Sequence, residues 1–253
     1  MKGRWILDAG CGAGRFLDVL ADHECDVVGV DLSNAVNAAR TSLADRPNVH
    51  LVQASIYELP FRRASFDSCY CIGVIQHTPN PLQALRSLPA FVKDGGRFAA
   101  TIYERKRWTR LYSKYILRRL TSRLSDAQIL TMIRYAMPVL FPLTDVLFRV
   151  PVARRLFQFL IPVANYVGVP QLSVRDRYRW AIMDTFDMLS PAHDSPQRYD
   201  DVVATLDGAG VHDVRRTAGR GLCVSGSVSR AALHRGHRPE AAGFSAEMRE
   251  VVE

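Results

Sequence analysis

The sequence predicts an α/β fold: a Rossmann-like sheet with an α-helical insertion after its fifth strand. Over roughly the first hundred residues, short apolar segments alternate with helical patterns, which is typical of βαβ units. From 104 to 176 this alternation is replaced by a helical pattern of basic and apolar residues. The 253 residues, of which 48% are hydrophobic, are enough for one large domain with an insert.

The strongest local signal is a glycine turn near the start of the chain. Trp5 to Leu7 are apolar and indicate a buried strand, and Gly10, Gly12 and Gly14 follow at every second position before a helical pattern begins. A strand, a glycine turn and a helix let the backbone approach a ligand closely, because glycine has no side chain. An ordinary strand-to-helix turn is the alternative interpretation.

The spacing of the turn distinguishes between ligands. A dinucleotide fingerprint, Gly-x-Gly-x-x-Gly, needs a third glycine where this chain has Arg15, and a Walker loop needs a Gly-Lys-Ser/Thr sequence that does not follow here. Asp8 precedes the turn, and a carboxylate there repels a pyrophosphate but favours a cation. The turn therefore indicates a cationic ligand.

The segment Asp8-Ala9-Gly10-Cys11-Gly12-Ala13-Gly14 resembles the first motif of the class I S-adenosylmethionine-dependent methyltransferases. The resemblance extends, with one interruption, from Lys2 to about Val228. It implies a seven-stranded sheet that ends in an antiparallel hairpin, and S-adenosyl-L-methionine as the cofactor. The cofactor contacts that it implies in this motif are Asp8, Gly10, Cys11, Gly12 and Gly14.

The second strand, predicted from Asp26 to Val30, ends at Asp31. A carboxylate at the tip of this strand can accept hydrogen bonds from both hydroxyls of a ribose. We therefore assign Asp31, with Leu32 beside it, to the cofactor site. The alternative is that Asp31 or Ser33 caps the helix predicted over 34–44.

The third strand is predicted over 49–53, and the segment after it resembles the family's adenine-binding segment. The family usually has an Asp where this chain has Ser55. Ser55 still accepts one hydrogen bond, but without a charge. The resemblance implies that the backbone of Ile56 serves the adenine ring nitrogen.

The fourth strand, predicted over 65–72, leads to a candidate catalytic residue, His77. In an open α/β sheet, ligands bind beyond the carboxyl ends of the strands, and histidine can take a proton near neutral pH. His77 is therefore a candidate general base, and a structural histidine that fixes its loop is the alternative. A helix over 81–91 follows, and Gly95-Gly96 turns into a fifth strand over 97–103.

The insert is strongly basic. Between 104 and 155 it contains twelve Lys or Arg and three Asp or Glu, so its net charge is about +9, whereas the whole chain carries +8. The residue pattern of its first part predicts an amphipathic helix. The apolar positions are Trp108, Leu111, Tyr112, Tyr115, Ile116 and Leu120, and the basic positions, mainly on the other face, are Arg107, Arg110, Lys114, Arg118 and Arg119.

Two interpretations of the insert stay open. In one, it is a helical lid whose apolar face packs on the core while its basic face is solvated. In the other, it is an interfacial element that meets anionic lipid or a lipid-linked substrate. The stretch 156–174 carries no charge and is near the length of a spanning helix, but Pro162 and Pro170 argue against a span.

Three short segments, Asp184 to Asp187, Leu189 to Pro191 and Ser195-Pro196, resemble a group of bacterial methyltransferases often associated with small molecules or sugars. A helix from Asp200 and two last strands, 211–217 and 222–228, follow them. The residues that we assign to the acceptor side are Tyr103, Trp180, Asp184 and Asp187.

The predicted organisation has four segments. The cofactor-binding half covers 1–103, the insert 104–176, the rest of the methyltransferase domain 177–228, and a polar, disordered tail 229–253. The five cysteines form no paired framework, and glycines with Asp8 interrupt the N-terminal apolar segment, which does not fit a signal peptide. We therefore expect a cytoplasmic protein that is peripheral at the inner membrane surface if the insert is interfacial.

The function implied is methyl transfer from S-adenosyl-L-methionine to oxygen of a small molecule, a sugar or a lipid-linked glycan. Such a transfer needs positioning and no metal. One alternative is a tRNA or RNA methyltransferase, suggested by the basic insert; nothing in the sequence resembles an RNA-binding module, so nucleic acid is not the expected partner. The other is a catalytically silent partner subunit with the same fold, suggested by Ser55.

Overall fold

The protein is described by a computed structural model that covers residues 3–219 and 221–229. The described residues form two compact units: the first comprises 3–72, 82–101, 200–219 and 221–229, and the second 73–81 and 102–199. The predicted insert, 104–176, lies inside the second unit, whereas the predicted segment 177–228 is divided between both. The tail predicted over 229–253 lies outside the described residues, except for Ser229.

The first unit is built on a seven-stranded sheet. Its strands are β1 (Arg4–Ala9), β2 (Cys25–Asp31), β3 (Val49–Gln53), β4 (Phe66–Ile72), β5 (Val92–Ile102), β6 (Val211–Arg216) and β7 (Leu222–Val228). The strand order is β3-β2-β1-β4-β5-β7-β6. The pairs β1–β2, β1–β4, β2–β3 and β4–β5 are parallel, and β6–β7 is antiparallel. The predicted fold class and the final hairpin are therefore confirmed.

Helices of the first unit cover apolar strands. They are α1 (Arg15–Ala21), α2 (Ala35–Ser42), α3 (Pro81–Ser87) and α8 (Tyr199–Asp207). Val27, Leu17 and Val36, from β2, α1 and α2, are fully buried in one apolar cluster. Strands whose two faces are covered read as continuous apolar runs, which is why β1 and β2 were predictable.

Two predicted boundaries are wrong. The helix predicted over 81–91 ends at Ser87, and a 3-10 turn containing Pro89 follows, because proline cannot donate the next helical hydrogen bond. The fifth strand begins at Val92 rather than at 97. Gly95 and Gly96 lie inside β5, where the pairing with β4 shifts register, so the two glycines mark a bulge.

The second unit is helical. It contains α4 (Ser113–Thr121), α5 (Asp126–Leu147), α6 (Arg154–Leu160) and α7 (Val174–Leu189). A capping box between Ser125 and Gln128 begins α5. The buried residues Ile129, Ile133, Met137 and Phe141 recur every fourth position along α5 and form one apolar cluster with Ala181 and Leu189 of α7. This one-sided burial leaves the other side of α5 exposed.

The orientation of α4 contradicts the expectation of a solvated basic face over a buried apolar face. The Lys114 and Arg118 side chains are only 14% and 10% exposed, because both pair with the buried carboxylate of Asp194, at 2.7 and 3.9 Å. Arg118 also donates to the Met188 and Pro191 carbonyl oxygens. A buried carboxylate requires such partners. The exposed residues of α4 and its lead-in include both apolar and basic side chains: Trp108, Leu111, Tyr112, Ile116 and Leu120, and Arg107, Arg110 and Arg119.

Candidate functional site

The glycine turn connects β1 to α1 and is tied to β2. Gly10, Gly12 and Gly14 have φ of 93°, 52° and 88°, a region in which residues with a side chain are strained. The Gly10 and Cys11 amides both donate to the Val30 carbonyl oxygen, at 2.7 and 2.9 Å. The turn thus lies at the carboxyl ends of β1 and β2. The strand order reverses next to β1, which is where open α/β sheets bind ligands.

Two of the glycines have different roles. A Cβ on Gly14 would lie 2.8 Å from Leu43 Cδ1 and 3.1 Å from Ala39 Cβ, so Gly14 lets α2 pack against the turn. A Cβ on Gly12 would meet no described atom within 4 Å. Gly12 therefore leaves open space beside the turn, as a backbone that receives a ligand must.

Asp31 connects the turn to the start of α2. Its Oδ2 accepts from the Gly12 amide at 2.8 Å, and its Oδ1 accepts from the amide and hydroxyl of Ser33 at 2.8 and 2.7 Å. The N-cap of α2 is Asn34, without a capping side-chain bond, so Asp31 is not its cap. The carboxylate is fixed beside the glycine turn, and its assignment to the ribose stays a prediction.

The segment assigned to adenine is close to Asp31. The Ala54 amide donates to the Asp31 carbonyl oxygen at 3.1 Å, which places Ser55 and Ile56 near the end of β2. The Ser55 hydroxyl oxygen accepts from the Tyr57 amide at 3.2 Å, and its proton remains available as a donor. Leu32 is 70% exposed and presents an apolar surface next to Asp31.

Asp8 is the most unusual group of this site. It is 1% exposed, and its Oδ2 has no hydrogen-bond partner among the described residues. Burial raises the pKa of Asp8 to about 7; the Tyr70 hydroxyl opposes this rise and the charge of Asp31 adds to it. A buried carboxyl without a cation from the described protein fits a ligand that brings its own positive charge.

Cys11 lies in the glycine turn, and its amide is bound to the Val30 carbonyl oxygen. Its side chain packs in the apolar cluster with Leu17 and Val27. Burial, with the charges of Asp8 and Asp31, raises the pKa of Cys11 to about 12. Its thiol is therefore protonated, and the structure gives it no role as a nucleophile.

This sheet and its glycine turn are what the resemblance to the class I S-adenosylmethionine-dependent methyltransferases implies. A family model described as a methyltransferase domain matches residues 7–100. The predicted class is confirmed: this segment is a class I methyltransferase domain.

Similar proteins cover part of the chain. The ubiquinone biosynthesis O-methyltransferase of Coxiella burnetii is 31% identical over 105 residues, which is 40% of this chain and 45% of that protein. The protein of the same name from Albidiferax ferrireducens is 34% identical over 100 residues, 38% of this chain and 40% of its own. The chain thus spans less than half the length of these relatives.

A solved structure supports the fold over a longer range. The structure of a possible exported protein from Bordetella parapertussis matches with a TM-score of 0.50 at 14% identity. The match covers 90% of this chain and 62% of that one. At this identity the likeness concerns the fold alone.

His77 lies in the second unit, in a 3-10 turn over 75–77. Its Nδ1 is 3.0 Å from the carbonyl oxygen of His193, and a carbonyl can only accept, so Nδ1 carries the proton when the ring is neutral. The Nε2 lone pair then remains available. The ring packs edge-on against Tyr103, with centroids 5.5 Å apart. This geometry suits a general base and also fixes the loop, so both interpretations stay open.

Three of the residues assigned to the acceptor side interact electrostatically within the second unit. Burial raises the pKa of Tyr103, and the charges of Asp194, Asp187 and Asp184 raise it further. Burial also raises the pKa of Asp187, and the charge of His77 opposes this rise. Trp180, the fourth, is partly exposed and packs edge-on against Tyr166 at 5.9 Å.

Sequence reasoning missed Asp194. Its side chain is 1% exposed, and it pairs with Lys114, whose ammonium lies 4.3 Å from the centre of the Tyr103 ring. Burial lowers the pKa of Lys114, and the charge of Asp194 opposes that shift. No feature of the sequence distinguishes Asp194 from the exposed aspartates, because its partners are on α4, far along the chain.

Proposed function

We propose that this protein is an S-adenosylmethionine-dependent O-methyltransferase of a small molecule, a sugar or a lipid-linked acceptor. The observation that supports the proposal is the pairing of the glycine turn with two carboxyl groups. Asp31 is bound to the Gly12 amide, and the buried Asp8 has an Oδ2 without a hydrogen-bond partner among the described residues. The names of the relatives support oxygen as the acceptor atom.

Each element of the turn region has a proposed role. Asp8 and the turn, Gly10 to Gly14, would hold the cationic amino acid part of S-adenosylmethionine, and Asp31 its ribose. Ser55 and Ile56 would contact the adenine, with Leu32 beside the ribose. When bound, the cofactor supplies an activated methyl group. His77 would remove the proton from the acceptor hydroxyl at Nε2.

The assignment of Asp31 predicts weaker cofactor binding in Asp31→Ala. We expect a loss of about 1.5–3 kcal/mol, the scale of hydrogen bonds to a charged group. Calorimetric titration with S-adenosylmethionine and with its demethylated product measures this. Asp26→Ala is the matched control, since Asp26 lies in the same strand but contacts His50, 3.1 Å away. Equal affinities of the wild type and Asp31→Ala would remove Asp31 from the ribose site.

We also propose that the protein is cytoplasmic and contacts anionic membranes through the second unit. One face of α5 exposes Tyr135, Val139 and Val146, and α4 exposes Ile116 and Leu120. In the part of the chain that the structure describes, α5 is long and apolar enough to cross a membrane by length and composition alone, and 28% of its apolar 18-residue window is buried. An exposed apolar face beside basic residues is typical of an interfacial element. The exposed basic side chains of this region include Arg107, Arg110, Arg119 and Arg123.

The membrane proposal predicts salt-resistant co-sedimentation with anionic vesicles and none with neutral ones. Salt screens exposed charges, but it does not weaken the insertion of apolar side chains. The variant Ile116→Asp/Leu120→Asp should lose the salt-resistant fraction. Val19→Asp, an equally exposed change in the first unit, should keep it. A wild type that stays in the supernatant with anionic vesicles at low salt contradicts the proposal.

A further inference from the structure

An apolar cavity of about 250 Å³ lies among the helices of the second unit. Its walls come from α4, α5, α7 and the chain segment 160–163. Among the described residues that line it, none is charged and Thr185 is the one polar residue. Protein interiors contain few voids larger than a water molecule, so a cavity of this size is a specific feature of the unit.

The inner wall of the cavity is held in a defined shape. Val163, which lines it, is buried in one apolar cluster with residues of α5 and α7. The next two residues are tied to the same helices: the Ala164 amide donates to the Thr185 hydroxyl oxygen at 3.1 Å, and the Asn165 side-chain amide donates to the Thr144 hydroxyl oxygen at 3.0 Å. These bonds fix the segment after α6 against α7 and α5.

The outer side of the cavity reaches the surface. Met132 of α5 and Leu160, the last residue of α6, both line it and are 37% and 54% exposed. None of the α6 residues is buried. The mouth therefore lies between α5 and the end of α6, where an apolar ligand meets apolar side chains before it enters.

The cavity is separate from the residues assigned to the acceptor side. Thr185 and Leu189 line it and share one face of α7, because they are four positions apart. Asp184 and Asp187 share a different face of the same helix. The cavity thus lies across α7 from these aspartates, and an inference about it does not rest on methyl transfer.

We propose that this cavity binds the hydrocarbon chain of an anionic amphiphile. An apolar cavity of about 150 Å³ binds benzene, which has six carbons, so about 250 Å³ has room for roughly ten. The lining also has the shape for a chain: Met132, Ala136 and Leu140 follow one another at every fourth position of α5, over about 12 Å. A narrow, uncharged space of this length fits an extended chain.

The charge of the head group follows from α6. Since the walls carry no charge, a polar head stays outside the mouth, near the residues of α6. This helix begins with Arg154 and Arg155, which are exposed and form no ion pair among the described residues. They lie within about 9 Å of Leu160 along the helix axis. Two arginines at this distance favour a negative head over a positive one.

Calorimetric titration with straight-chain fatty acids tests the cavity. Affinity should rise about fourfold for each methylene added between hexanoate and decanoate, and then level off in dodecanoate because the cavity is full. Decyltrimethylammonium, which has a chain of the same length and the opposite charge, should bind more weakly than decanoate.

A cavity-filling variant separates binding from folding. Ala136→Leu puts a larger side chain into the cavity, so decanoate should bind at least about tenfold more weakly, while thermal stability is kept or raised. Ala127→Leu makes the same change at an exposed position of α5 outside the cavity and should leave binding unchanged. If Ala136→Leu fails to fold, the comparison is repeated at the surface. Leu160→Gln at the mouth should weaken binding, and Leu156→Gln, equally exposed in α6 but outside the cavity, should not.

Two arms identify the source of the chain. If Ala136→Leu also loses sedimentation with phosphatidylglycerol vesicles, the chain belongs to a bilayer lipid; if it loses decanoate binding alone, the chain belongs to a separate amphiphile. Both results support the site. Absence of saturable decanoate binding, equal losses in the cavity variant and its control, or an affinity that keeps rising with the same slope beyond decanoate overturns it. Equal affinities for decanoate and decyltrimethylammonium overturn the anionic head.

Discussion

We expect His77→Ala to lower turnover by about 10²–10⁴-fold, the contribution typical of a positioned general base, while cofactor affinity persists. The reason is the fixed orientation of the ring. Because Nδ1 donates to the His193 carbonyl oxygen at 3.0 Å, the neutral imidazole keeps its lone pair at Nε2. The alanine variant lacks the Nε2 lone pair that would accept the proton. It leaves the glycines of the turn and the carboxyl groups assigned to the cofactor unchanged, so cofactor affinity should persist.

The alternative, that His77 only fixes its loop, is tested by His77→Asn. The Asn amide nitrogen can donate to the His193 carbonyl oxygen as Nδ1 does, but the side chain has no basic lone pair. A structural role therefore predicts that Asn restores turnover to within about tenfold of the wild type, whereas a base predicts that both variants are slow and lose the acidic limb of the pH–rate profile. The acceptor must first come from a methyl-transfer screen with labelled cofactor against cell extract fractions.

The cofactor half was predictable because its signals are local. All of these signals lie between Trp5 and Asp31: the glycine spacing, the apolar strand β2 and the acid at its tip. They meet in the fold because β1 and β2 are adjacent parallel strands. The bond from the Gly12 amide to Asp31 follows from adjacent parallel strands that end together. β3 was predicted with its exact bounds, since the apolar run is flanked by Pro47 and polar residues.

The second unit was less predictable because its structure depends on contacts between distant residues. Helical periodicity identifies which residues share a face of α4, but not which face is buried. Asp194, almost eighty residues after Tyr115, decides that: its buried carboxylate requires Lys114 and Arg118, and the apolar face is left outside.

Asp8→Asn should have two opposite effects: much weaker binding of S-adenosylmethionine, and a more stable protein. The carboxyl is the one buried anion that we assign to the cationic part of the cofactor. Leaving a desolvated charge without its partner costs about 2–5 kcal/mol of binding free energy. Asparagine has nearly the same shape and carries no charge to bury, so the folded protein no longer bears the desolvation cost of the carboxylate.

The stability effect has a defined pH dependence. The pKa of Asp8 is raised from 3.8 to about 7 on folding. Between those values the folded protein keeps a proton that the unfolded chain has released, so wild-type stability falls as the pH rises through this range. The loss is on the order of 1–4 kcal/mol and is complete above the folded pKa. Urea unfolding at about pH 4.5, 6 and 8 should therefore show an advantage of Asp8→Asn that is smallest at the lowest pH and largest at the highest.

Cofactor affinity should depend on pH in the opposite direction. The ionised carboxylate attracts the cationic ligand, so wild-type affinity should rise between about pH 6 and 8, with release of a proton on binding below the pKa of Asp8. The Asp8→Asn variant should lack both the rise and the proton release, which calorimetry in buffers of different ionisation enthalpy measures directly. If Asp8→Asn binds S-adenosylmethionine like the wild type and is less stable at the higher pH, the carboxylate stabilises the turn itself and is not the counter-charge of the ligand.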